Sequence, residues 1–153
     1  MQPKIIESGI KDVVFGDNVI IIQPVNLYGC QIGENSFVGP FVEIQKQVSI
    51  GARTKVQSHS FVCELVEIGN DCFIGHGVMF INDLFSEGGP ARGDKTKWKS
   101  TKIGNNVSIG SNATILPVNI CDDVVIGAGA VVTKDISVSG VYVGNPAKML
   151  KTL

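Results

Sequence analysis

The sequence predicts an all-β fold, a parallel β-helix of about six coils with one long loop excursion and a short C-terminal tail. Three observations predict it. Every sixth residue from Ile32 onward is apolar, through Val38, Ile44, Ile50, Val56, Val62, Ile68 and Ile74 to Phe80. Glycine follows that residue at Gly33, Gly39, Gly51, Gly69 and Gly75, and four places after it stands a small or β-branched residue such as Ser36, Val42, Thr54, Ser60 or Cys72. The repeat is I-G-x-x-V-x, and its period of six is a multiple of the strand period of two but not of the helical 3.6. A helix would spread these side chains around its circumference, whereas short strands wound into stacked coils bring them into one core.

Residues 1–14 lack the repeat and are expected to cover the open end of the first coil, because an exposed terminal rung offers unpaired backbone groups. The repeat enters at Phe15 (FGDNVI) and passes through Ile21 and Leu27; a five-residue unit from Leu27 to Ile32 marks a tightened turn. After Phe80 the period lapses until Ile103. The intervening Gly-, Pro- and Lys-rich residues 84–102 form an inserted loop, and loops of that length are usually functional or disordered. Hexads resume at Ile103 (IGNNVS), Ile109 (IGSNAT) and Ile115, lose one residue before Ile120 (ICDDVV), and run on through Ile126 (IGAGAV) to Val132. Residues 138–153 read as a tail that leaves the coil, so residues 1–153 form a single domain. Handedness does not follow from the period; general crossover rules favour right-handed connections.

Lys and Arg total 13 against 14 Asp and Glu, a balance that argues against general nucleic-acid binding. No stretch approaches a membrane span and the N-terminus has no continuous apolar segment, so a cytoplasmic protein with no membrane partner is expected. Cys30, Cys63, Cys72 and Cys121 form no C-x-x-C pair and read as small packing residues.

The hexads, the loop after FIND and the closing IGAGAVVTKD and GVYVGNPAK resemble the hexapeptide-repeat acyltransferases. That resemblance implies a left-handed β-helix, acetyl-coenzyme A as co-substrate, no metal, and a homotrimer with active sites between subunits. PVNLYGCQIG, FVEIQ, SHSFVCE and GHGVMFINDLF resemble, more narrowly, bacterial enzymes that acetylate the 3-amino group of a dTDP- or UDP-linked sugar for surface polysaccharide. Hexads alone also occur in γ-class carbonic anhydrases and sugar-nucleotide uridylyltransferases.

Glu64 and Asn82 are eighteen residues apart and fall third in their hexads, VCE and FIN, so coils of eighteen residues place them at one corner on successive rungs. There a carboxylate and an amide could hold a sugar amine in line with a thioester carbonyl, the role the resemblance also implies. Lys46 stands one coil earlier in the same column, within reach of Glu64 or of a phosphate. With Asp83 and Trp98 it completes the expected substrate contacts. Five basic residues in or beside the loop, Arg92, Lys95, Lys97, Lys99 and Lys102, suit an anionic ligand such as a pyrophosphate or coenzyme A.

His59 and His76 lie in hexads one coil apart, and other branches of the superfamily use a histidine as general base. A sugar hydroxyl as acceptor would need one; an amine would not. Two histidines cannot supply the three of a carbonic-anhydrase zinc site. GGPARGDKT lacks both the spacing and the following helix of a phosphate loop. For coenzyme A, the resemblance implies backbone contacts near Ser111 and Ala128, with Lys134 or Lys148 at the phosphates. The sequons at Asn106 and Asn112 are by-products of the repeat's spelling. A scaffold without catalysis is the remaining alternative.

Overall fold

The chain winds into a triangular prism of parallel coils, described here over residues 1–153 by a computed structural model. Each coil contributes one short strand to each of three sheets, called faces A, B and C in the order the chain meets them. Face A holds seven strands, from Ile10–Lys11 and Asn26–Tyr28 through Glu43–Ile44, Phe61–Val62 and Met79–Phe80 to Thr114–Ile115 and Val131–Val132. Seven coils therefore stand where the periodicity led us to expect six.

The additional coil comes from the N-terminus. Ile10–Lys11 pairs with Leu27–Tyr28 and Val14–Phe15 pairs with Gln31–Ile32, so residues 1–14 begin the solenoid rather than cover its end. Residues 1–8 are exposed. Ile10 and Phe15 stand in register with Leu27 and Ile32 at the open end of the solenoid, and the five-residue step between them hid Ile10 from a period of six that enters at Phe15.

The tail departs from expectation in the same way. Ile136 bridges to Ile120, and Gly140–Val143 pairs in parallel with Val124–Ile126, adding a rung to faces B and C. Only then does the chain reverse, with Lys148–Lys151 running antiparallel along Gly140–Val143. Ile136 and Tyr142 supply inward side chains without the hexad spelling.

The inward residues stack in register, as in Val38, Val56, Ile74 and Ile109 on face C, and form one continuous core from Val25 to Ile136. Burial of these aliphatic columns drives the winding. Turns between strands carry a residue in the left-handed region. Asn and Asp tolerate it best and hold it at Asn18, Asn35, Asp71, Asn106 and Asp123 between faces B and C.

Spacing is uniform at two corners of the prism and variable at the third. From B to C and from C to A, inward residues are six apart in coil after coil, as in Ile50, Val56 and Val62 or Ile103, Ile109 and Ile115. From A to B the units Leu27 to Ile32 and Ile115 to Ile120 lack a residue, and the whole excursion leaves between Phe80 and Ile103. Gly29 at this corner has φ of +59°, and a Cβ there would come within 2.7 Å of the Lys46 Cβ on the next rung. No helix of the protein is long and apolar enough to cross a membrane.

Candidate active site

The variable A-to-B corner gathers Lys46, Glu64 and Asn82. Each follows a face A strand by two residues, so the coils stack them as the eighteen-residue spacing predicts. The Asn82 side-chain amide donates to the Glu64 backbone carbonyl at 3.1 Å, and the Gln45 side-chain oxygen accepts from the Glu64 N–H at 3.3 Å. These bonds fix the Glu64 backbone between two rungs. Its side chain is 8% exposed, a poor place for a carboxylate without a cation.

The cation comes from the excursion. Lys95 Nζ donates to both Glu64 carboxylate oxygens, at 2.7 and 3.0 Å, while Lys46 Nζ stands 4.0 Å away. The same ammonium lies 5.1 Å from the Trp98 ring centroid. Its hydrogen bond to Glu64 holds the Lys95 pKa above the ordinary value for a lysine. Burial, with Glu43 and Glu64 nearby, likewise pushes the Tyr28 phenol up.

The excursion is an ordered structure built to present Lys95. Asp83 accepts from the Phe85 and Ala91 N–H groups at 3.0 and 2.7 Å, and the Lys99 N–H donates to the Asn82 carbonyl at 2.9 Å, closing the loop's base. Asp94 caps a short 3-10 turn, Lys95–Lys97, by accepting from the Thr96 N–H at 3.1 Å. Lys97 pairs with Glu87 at 2.6 Å. Between loop and face A lies an apolar cavity of about 550 Å³ lined by Phe61, Phe80, Leu84, Phe85, Trp98 and Asn82 among others. Trp98 lies in the cavity wall with its ring facing the Lys95 ammonium, whereas the Asp83 carboxylate is engaged by loop backbone and points to a structural task.

The C-to-A corner gathers a second group. Hydrogen bonds from Gly77 N–H to Ser58, from Asn112 N–H to His76 and from Gly129 N–H to Ser111, all at 2.8 to 3.0 Å, stack Ser58, His76, Ser111 and Ala128 in one column. Shortened units affect only the other corner, so Ser111 and Ala128 align. His76 Nδ1 shares a hydrogen bond of 2.8 Å with Ser58 Oγ. His59 lies one residue further round its turn, at φ of 64°, with its ring stacked 4.9 Å from Phe41. Lys148 lies beside this corner, paired with Val143. Lys134 does not, because it follows Val132 of face A into the A-to-B turn.

The two groups occupy opposite ends of face A. His59 precedes and Glu64 follows Phe61–Val62, and His76 precedes and Asn82 follows Met79–Phe80. No hydrogen bond or ion pair joins them within the chain. Sequence reasoning identified both sets but assigned Lys95 only to a general basic patch. Nothing in the loop's composition distinguishes it from Lys97 or Lys99.

A solenoid of six-residue repeats with these corner columns defines a class, and the sequence matches models of that class. Residues 29–64 match the bacterial transferase hexapeptide (six repeats), and residues 100–134 the hexapeptide repeat of succinyl-transferase. The chain belongs to the hexapeptide-repeat superfamily. Among curated relatives, the bifunctional protein GlmU of Streptococcus uberis is 32% identical over 146 residues, 95% of this chain and 28% of that protein. The chain thus spans less than a third of the relative's length. Among solved structures, a D94A mutant of AntD, an N-acyltransferase from Bacillus cereus in complex with dTDP and coenzyme A, superposes with a TM-score of 0.80. It is 23% identical and aligns over 91% of this chain and 83% of its own. A hexapeptide-repeat acetyltransferase from Vibrio cholerae, VCA0836, complexed with acetyl-coenzyme A, gives 0.69 at 25% identity, over 82% and 71%.

Proposed function

We propose that the chain is an acetyl-coenzyme A-dependent N-acetyltransferase. Its acceptor is the amine of a dTDP- or UDP-linked 3-amino sugar destined for surface polysaccharide such as O-antigen. The observation that carries this reading is the Glu64 carboxylate, buried at the A-to-B corner and paired with an ammonium, next to Asn82, which lines the neighbouring aromatic cavity. A site of that kind holds an amine in its cationic form and gives a hydroxyl nothing comparable. The nucleotide and coenzyme A bound to AntD and the acetyl-coenzyme A bound to VCA0836 support the substrate class.

Glu64 and Asn82 orient the amine. The bound ammonium first yields one proton to water; the neutral amine's lone pair then attacks the thioester carbonyl, the new C–N bond replaces the C–S bond, and a second amine proton leaves with the coenzyme A sulfur as free thiol or through water. Backbone N–H groups near Ser111 and Ala128 stabilise the oxyanion. Because those residues and Glu64 lie at opposite ends of face A, the reading requires a homotrimer in which the C-to-A corner of one subunit meets the A-to-B corner of the next.

A second reading is transfer to a sugar hydroxyl. It rests on His76, whose Nδ1 bond to Ser58 in the Ser111–Ala128 column leaves Nε2 free to act as general base. Thiol release from acetyl-coenzyme A across dTDP- and UDP-linked 3-amino and 4-amino sugars, with hydroxyl analogues beside them, separates the two. Turnover confined to amines is expected; turnover confined to hydroxyls overturns the first reading in favour of the second.

A further inference from the structure

We propose that Lys95 is an internal stand-in for the acceptor's ammonium, so that the loop of residues 84–102 latches shut on Glu64 until a cationic acceptor displaces it. The proposal rests on the reading that the acceptor amine binds at the A-to-B corner.

The geometry is that of an occupied cation seat. Both oxygens of a carboxylate whose side chain is 8% exposed are held by one ammonium, at 2.7 and 3.0 Å. The second cation, Lys46, stands at 4.0 Å, close enough to pair by charge but too far to hydrogen-bond, so it leaves both carboxylate oxygens without a donor. The Lys95 side chain is half exposed and its short turn carries no buried residue. It can therefore withdraw with little loss of packing. What holds it is Glu64 together with the Trp98 ring face at 5.1 Å.

Selectivity follows from what replaces Lys95. An incoming ammonium exchanges one cation for another and leaves Glu64 paired. An incoming hydroxyl leaves a buried carboxylate without a hydrogen-bonded cation, a loss that a site built on polar pairing punishes heavily. Lys95 is thus a specificity-determining residue: it sets the standard of binding that an acceptor must match. The raised pKa of Lys95, caused by its bond to Glu64, keeps it cationic and stops it from becoming a nucleophile in its own active site.

The test has two arms. Without ligand, hydrogen exchange of the 84–102 amides is compared in wild type, Lys95→Met and Glu64→Gln; both variants are expected to exchange faster, and Lys95→Arg to restore protection. Unchanged exchange in both variants overturns the latch. With acetyl-coenzyme A and a dTDP-linked 3-amino-3,6-dideoxyhexose, Lys95→Met is expected to lower KM for the amino sugar at least fivefold. In a Glu64→Gln background the same substitution is expected to leave KM within twofold, since no seat remains to compete for. A KM that rises in Lys95→Met overturns the proposal and makes Lys95 an ordinary substrate contact. Absence of turnover with any amine in both wild type and Lys95→Met overturns the acceptor reading itself, and with it this proposal.

Discussion

Replacing Ile68 by alanine removes side-chain carbon from the centre of the solenoid. Ile68 is 3% exposed on face B, stacked between Ile50 on one rung and Ile103 on the other. Three carbons leave the core, worth about 2.4 kcal/mol at about 0.8 kcal/mol per buried methylene. Ile50 and Ile103 are held by the backbone ladder and cannot close the gap, so a cavity contribution brings the loss to about 3–4 kcal/mol. For a chain of this length that lowers the melting temperature by roughly 10 °C. The adjacent Glu67 points outward from the same strand, and Glu67→Ala should change stability by less than about 0.5 kcal/mol. Urea and thermal unfolding of the two variants measure the contrast. Equal effects, or a loss below about 1 kcal/mol for Ile68→Ala, would refute the inward and outward assignment on which every corner position depends.

Other perturbations test the site. Asn82→Ala removes the 3.1 Å bond to the Glu64 carbonyl and should lower kcat/KM about 10–100-fold, with a melting temperature within a few degrees of wild type; an active variant would deny Asn82 its positioning role. The double variant His59→Ala, His76→Ala should keep at least about a tenth of wild-type kcat, because an amine needs no base to attack. Burial pushes the Cys30 thiol up to about 11 and the Cys63 thiol up to about 12. Between about pH 9 and those values the unfolded chain releases protons that the folded chain retains, so stability should fall as pH rises, and less steeply in Cys63→Ala. Identical urea midpoints at pH 8 and pH 10 would contradict that burial.

Much of this architecture could be read in the residues because the repeat writes the inward position of each strand directly. The Glu64–Asn82 corner followed from an eighteen-residue spacing, and Lys46 fell into the same column. The first coil and the last rung were hidden for a physical reason. Ile10 and Ile136 are separated from Phe15 and Val132 by A-to-B steps of five and four residues, and Ile136 and Tyr142 lack the hexad spelling, so periodicity did not register them. The roles of Lys95 and Asp83 were hidden for another. Each depends on how an irregular loop folds back: Asp83 onto the Phe85 and Ala91 amides, Lys95 onto Glu64, and neither contact leaves a trace in spacing. Lys134 was grouped with Ser111 and Ala128 by resemblance, whereas the winding of the chain sets it at a different corner.

The measurement that bears most directly on the account is thiol release from acetyl-coenzyme A in the presence of dTDP- and UDP-linked 3-amino and 4-amino sugars and their hydroxyl counterparts. The account predicts turnover with one amino sugar and none with its hydroxyl twin. Turnover with hydroxyl acceptors alone would contradict it and shift the chemistry to His76, and no turnover with any acceptor would leave the solenoid as a scaffold.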